Sequence, residues 1–225
     1  SHRGAEDGEI VVRSPWVFKG YFRNPAATAE IIKDGWLHTG DVGTIDSDGY
    51  VRITDRKKHL IITAGGKNLS PGNIEAAVKG EEPLISQVVP HGDGRPYVSA
   101  IIAPSPLETL EWGVRRGILT AQELADRTQE LVKNPSGRTE ALNRAMAQVV
   151  ANPEFQQRFI EATRRGNQRL AHVEQVRRVL LLDRDLSQEH GELTPSMKVK
   201  RKEVERMYAP LLDRLYSDDR FGLSV

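Results

Sequence analysis

Two stretches of this chain carry residue types that could do chemistry. In "LTPSMKVKR" (193–201), Lys198, Lys200 and Arg201 follow a threonine and a proline, and Lys202 comes next. Such a run could be a solvated charge cluster, a nucleic-acid patch, or a lysine delivered to an active site. The second stretch, "DGWLHTGDVGTIDSDGYVRITDRKKHLIITAGGKNLSP" (34–71), is dense in Gly, Asp and basic residues, and loops of that kind carry function more often than cores do. Each piece is ambiguous alone. Asp41, after Thr39-Gly40, reads as a turn residue or a ligand contact. Arg56, after Asp55, reads as half of a surface ion pair worth at most about 1 kcal/mol. Ala64-Gly65-Gly66-Lys67 resembles a phosphate cradle, but lacks the spacing and the following Ser/Thr of a nucleotide-binding P-loop. His38 and His59 have no partner at metal-ligand spacing, so they read as surface or hydrogen-bonded histidines and no metal is assigned to the chain.

The elements that must position these residues are legible in outline. "EIVVRS" (9–14) and "VFKGYF" (17–22) are expected to be extended, and Asn24-Pro25 caps a short helix. Residues 41–55 read as a hairpin around Asp46-Ser47-Asp48-Gly49, and Ser70-Pro71 opens another helix. Residues 85–103 read as a strand pair about a Gly-Asp-Gly turn. Over 105–170 the apolar residues take helical spacing, for example Leu124, Thr128 and Leu131, then Leu142, Ala145, Met146 and Val149; Asn152 caps a further helix. "VRRVLLLD" (176–183) is a strand, and the last helix puts Val204, Met207, Tyr208, Leu211, Leu212 and Leu215 on one face, with a kink expected at Pro210.

Composition narrows the function classes. The 225 residues hold 32 Lys and Arg against 31 Asp and Glu, so no overall field favours nucleic acid or an anionic membrane. The "KVKRK" run has no interleaved aromatics, which also argues against a nucleic-acid partner. With no cysteine, disulfides, thiolate metal sites and a thiol nucleophile are all excluded. No apolar run approaches the roughly 20 residues of a membrane span. The expected compartment is the cytoplasm, with peripheral membrane contact left open.

Taken together and in order, "GWLHTGD", "DSDGY", "DRKKHLIITAGGKNLSP", "IE" (74–75) and "LTPSMKVKR" resemble the C-terminal part of the adenylate-forming acyl-CoA synthetase superfamily. "TPSMK", without a glycine before the lysine, and the helical stretch 105–170 are most similar to the long-chain fatty acid–CoA ligase branch. The resemblance implies an α+β small C-terminal domain, a short sheet packed by helices. Residues 1–54 would be a β-rich tail of the large N-terminal adenylation domain and 55–58 a hinge. Residues 59–225 would be the mobile domain, with 105–170 a helical insertion. The chain is thus expected to be a fragment, inactive alone, whose partner is the missing N-terminal domain.

The resemblance also assigns roles. Lys198 would be catalytic, contacting the substrate carboxylate and the α-phosphate while charge builds there. Asp41 and Arg56 would bind the ribose of ATP, the carboxylate as acceptor and the guanidinium as donor. Lys58 would be the hinge. Gly65, Gly66 and Lys67 would form the loop on the thiol side, and Lys200, Arg201 and Lys202 a solvated helix start. ATP, CoA and Mg2+ are the implied cofactors, with the magnesium ligand on the missing domain. The implied reaction joins a fatty acid to CoA through an acyl-adenylate. The alternatives are transfer to a carrier-protein thiol, or a binding module that kept the fold and lost the chemistry.

Overall fold

Cap residues and strand pairing lay out the first part of the chain. The computed structural model describes residues 8–135 and 138–225, so the first seven residues of the expected 1–54 segment lie outside the described ones. Contacts divide the chain into two units: residues 1–61 with 68–73, and residues 62–67 with 74–225.

In the first unit, β1 (Gly8–Val12) is followed by α1 (Pro25–Ile31), where the Asn24 side chain accepts from the Ala27 N–H and Pro25 sits in the first turn. Then come β2 (Ile32–Lys33), β3 (Trp36–Ile45) and β4 (Val51–Arg56). The long β3 pairs antiparallel with β1, β2 and β4. The expected turn joins β3 to β4, and Asp46 Oδ1 accepts from the Asp48 and Tyr50 N–H groups there. The apolar run 17–22 forms no strand. It reaches α1 instead, the Tyr21 N–H donating to Thr28 Oγ1. A 3-10 turn, Lys57–His59, ends β4. The short strands β5 (Ile61–Ile62) and β6 (Asn68–Leu69) follow, and then α2 (Pro71–Lys79).

The second unit is built on a sheet of order β10-β9-β8-β7, from β7 (Ile85–His91), β8 (Val98–Pro104), β9 (Val176–Leu181) and β10 (Leu223–Ser224). β7 and β8 form the expected antiparallel pair, whereas β8 and β9 run parallel. Parallel neighbours need a long crossover. It is supplied by α3 (Pro106–Arg115), α4 (Ala121–Lys133), α5 (Glu140–Val150) and α6 (Pro153–Asn167). Periodicity marks α4 and α5 and the Asn152 cap marks α6; α3 falls within the expected helical stretch 105–170, with Thr109, Leu110, Trp112 and Gly113 as its buried set.

Every residue of β8 is buried, as expected for a strand covered on both faces. Ile101 and Ala103 join Val89, Leu180, Leu182, Val204, Leu212 and Leu215 in one core. The alternate residues Ala100 and Ile102 are equally buried. Trp112 meets Phe155 edge to face and Phe155 meets Phe159 at a tilt, each pair with ring centroids 5.1 Å apart, which packs α3 against α6. The last helix is broken rather than kinked: α7 (Arg201–Met207) and α8 (Ala209–Ser217) meet at Tyr208, with Pro210 in the first turn of α8.

Candidate active site

In the first unit, the β3–β4 register puts Asp41 directly across from Arg56. The guanidinium Nε lies 2.9 Å from Asp41 Oδ1, both side chains keeping some exposure. The arrangement offers an acceptor and several donors side by side, a set that can bind adjacent hydroxyl groups. Asp55 does not pair with the Arg56 side chain. Its carboxylate accepts from Ser70 Oγ at 2.8 Å and the Gly72 N–H at 2.9 Å, so the expected surface pair has a different acidic partner.

Glu9 holds this corner together, and nothing in the sequence singles it out. Its carboxylate accepts from His38 Nδ1 at 3.1 Å, Lys57 Nζ at 3.0 Å and the Gly40 N–H at 3.3 Å. The His38 and Lys57 hydrogen bonds pull its pKa from 4.5 down to about 2. The backbone beside Asp41 is fixed from the same strand: Thr39 Oγ1 donates to the Ile10 carbonyl and accepts from the Asp41 N–H. His38 is thus a hydrogen-bonded histidine, as expected. Lys58 lies in the exposed 3-10 turn, where the extended backbone of Arg56 gives way to tight turning.

In the second unit, Gly65, Gly66 and Lys67 form an exposed turn. The Gly66 N–H donates to the Thr63 carbonyl at 2.8 Å, and φ of +73° at Gly66 demands glycine. The Gly-Asp-Gly turn after β7 grips the incoming backbone. The Ile62 N–H donates to Asp93 Oδ1, the Gly94 N–H to the Ile62 carbonyl, and the Ala64 N–H to the Arg95 carbonyl, at 2.8 to 3.0 Å.

Lys198 sits near the tip of a small hairpin. Leu193 and Val199 pair antiparallel, and Thr194 and Lys198 are joined by the Thr194 N–H to the Lys198 carbonyl at 2.8 Å. The Lys198 N–H donates to Thr194 Oγ1 at 3.0 Å. Pro195 suits the second position of the turn that the Met197 N–H closes on the Thr194 carbonyl. Met197 takes φ of +61°, a conformation that costs an L-residue roughly 1–2 kcal/mol. The backbone of Lys198 is therefore fixed while its side chain faces solvent, and among the described residues its ammonium has no hydrogen bond or ion pair. None joins it to the 65–67 turn either.

Arg201 corrects an expectation. It is not solvated: it pairs with Glu75 at 2.7 Å and is about four-fifths buried, because α7 lays its first turn against α2. Among the described residues, no group of three His, Asp or Glu side chains could hold a metal ion, and no helix is long and apolar enough to cross a membrane.

Residues 58–167 match the family of AMP-binding enzyme C-terminal domains. The chain is 36% identical over 219 residues to the long-chain-fatty-acid–CoA ligase FadD15 of Mycobacterium tuberculosis, covering 97% of this chain and 33% of that protein. It is 35% identical over 225 residues to the long-chain-fatty-acid–CoA ligase heimdall of Drosophila melanogaster, covering 93% and 33%. The chain thus spans about a third of the length of the curated relatives it matches. Among solved structures, the A domain of the carboxylic acid reductase from Segniliparus rugosus, in complex with AMP and a carboxylic acid, superposes with a TM-score of 0.62 at 23% identity. That match covers 94% of this chain and 28% of that one, and it bears on the fold.

Proposed function

We propose, for a chain that belongs to the AMP-binding enzymes through the C-terminal domain at residues 58–167, the role of that domain in an ATP-dependent long-chain fatty acid–CoA ligase. In the first half-reaction a fatty carboxylate oxygen bonds to the α-phosphorus of ATP and diphosphate leaves. In the second, the CoA thiol loses its proton and its sulfur bonds to the acyl carbon, and AMP leaves.

The observation that carries the reading is the state of Lys198: its backbone is locked in a hairpin while its ammonium is free in solvent. Exposure alone is ordinary for a lysine; here it is combined with a backbone held by the hairpin. A lysine offered to an anionic reaction centre needs both, since a preorganised donor aimed at developing charge lowers the barrier. Asp41 and Arg56 suit the ribose hydroxyls of the nucleotide. Lys58 serves as the hinge between residues 1–54 and 59–225, and the 65–67 turn serves the thiol side in the second half-reaction. Mg2+ would be held by the larger domain with which this chain works.

The test is product identity. The intact protein, given ATP, Mg2+ and a series of fatty acids, should release diphosphate and form acyl-CoA with free CoA. Diphosphate release without acyl-CoA, with acyl transfer to a carrier-protein thiol instead, would overturn the choice of acceptor. No diphosphate release with any fatty acid would overturn the reading itself. Asp41→Asn should raise the KM for ATP more than it lowers kcat, because it weakens a contact made alike in ground and transition states.

A further inference from the structure

The hairpin that carries Lys198 is exposed from Ser196 through Lys198, and one bond from outside reaches its tip, Gln188 Nε2 to Met197 Sδ at 3.1 Å, so its direction is set mainly at its base. The base is Glu192, whose side chain is completely buried. Its carboxylate accepts four hydrogen bonds, two on each oxygen. Arg184 donates through both terminal nitrogens at 2.8 and 2.9 Å, the Tyr208 hydroxyl at 2.8 Å and the Ser187 N–H at 2.9 Å. Arg184 also donates to the Tyr208 oxygen at 2.9 Å. The backbone of the same residue closes the hairpin, its carbonyl accepting from the Lys200 N–H at 2.8 Å. Three separate segments therefore converge on one residue: the exit of β9, the hairpin base, and the junction of α7 with α8.

Burial pushes the Glu192 carboxyl up, but Arg184, the Ser187 N–H and Tyr208 outweigh it and hold the group below the usual carboxylate range. The same burial raises the Tyr208 hydroxyl. The cluster is thus an ionised Glu–Arg pair with a neutral tyrosine, all acceptor positions filled. A buried ion pair is weak support for stability as such, because well-packed apolar residues often serve as well. Four directed bonds supply what apolar packing does not, a fixed orientation.

We propose that Glu192, clamped by Arg184 and Tyr208, is a positioning residue that aims Lys198 during adenylation. The inference rests on the reading of Lys198 given above. The lever is short but sensitive. Two strand residues and a lysine side chain make an arm of roughly 10 Å, so a tilt of about 6° at the base moves the ammonium by about 1 Å. A misplacement of that size can cost ~10²-fold in rate. The thioester step does not use Lys198 and is insensitive to that tilt.

The experiment compares Glu192→Gln, Tyr208→Phe and Lys198→Ala in the intact enzyme, measuring the two half-reactions separately. Diphosphate release reports adenylation, and acyl-CoA formation from supplied acyl-adenylate and CoA reports the second step. Glu192→Gln should slow adenylation roughly tenfold or more and Tyr208→Phe about threefold, each leaving the second step within about twofold. Glu192→Gln should add nothing in a Lys198→Ala background, since the two act through one group. If Lys198→Ala removes adenylation while Glu192→Gln and Tyr208→Phe spare it, or slow both steps alike, Glu192 is structural and the proposal falls while the reading of Lys198 stands. If Lys198→Ala leaves adenylation intact, both fall. Should Glu192→Gln fail to fold, Tyr208→Phe, which removes a single donor, decides alone.

Discussion

Glu9 and Lys198 stand at opposite ends of the range of side-chain environments in this protein. The carboxylate of Glu9 is saturated by His38, Lys57 and a backbone N–H, whereas the Lys198 ammonium faces water. The first can be tested by titration. Carboxyl NMR should place the Glu9 midpoint near 2 rather than 4.5, and His38→Ala, removing the largest cause, should move it back up. Because the folded value is depressed, Glu9 adds stability that is full above the unfolded value of 4.5 and is lost as pH falls from there toward about 2. A Glu9 midpoint that stayed unchanged in His38→Ala would contradict the assignment. Residue by residue, Asp41, Arg56, Lys58, the 65–67 turn and Lys198 could be picked out because they lie in motifs read along the chain. Glu9 and Glu192 could not. Glu9 meets His38 and Lys57 at 29 and 48 residues' separation, and the Glu192 cluster depends on a helix junction that no periodicity announces.

At the scale of elements, caps and turns were legible where one side chain decides them: Asn24 and Asn152 both cap as their neighbours suggest. The run at 17–22 misled because aromatic residues favour strands only where a pleated, half-buried surface receives them, and Phe22 is 87% exposed. α3 lies within the stretch read as helical, but its close packing on α5 was not legible, because it turns on one glycine. Gly113 lets it approach α5, where an added Cβ would meet Val149 Cγ2 at 2.5 Å. Asp93→Ala removes the side-chain acceptor of the Ile62 N–H, worth about 1 kcal/mol. It should slow thioester formation several-fold while adenylation changes little; equal slowing of both would detach the 65–67 turn from the second step. Lys58→Pro fixes φ near −65°, so the 3-10 turn can hold one arrangement but not swing between two. Acyl-adenylate should still form while acyl-CoA production collapses, with Lys58→Ala much milder in single-turnover assays. Equal losses from the two variants would show that the lysine charge, not backbone rotation, matters there.

At the scale of the whole molecule, the two units differ in kind. The second buries a continuous apolar core about β8. The first leaves Trp16, Phe22, Ile45, Tyr50 and Ile53 more than half exposed. That contrast is compatible with a chain that spans about a third of the length of the relatives it matches; that residues 1–54 are the tail of a larger adenylating domain is part of the proposal. The α+β class of the small domain was legible through the resemblance its motifs carry, and its hairpins and helical periods gave individual elements. The parallel pairing of β8 with β9 was not, because it depends on how α3 to α6 pack. In the proposed function, this chain serves two half-reactions with separate parts, Lys198 belonging to the first alone. The most direct test is Lys198→Ala in the intact enzyme, with both half-reactions followed in single turnovers. The expected result is a loss of ~10²–10³ in adenylation and near-normal conversion of supplied acyl-adenylate to acyl-CoA. An equal fall in both steps would contradict it.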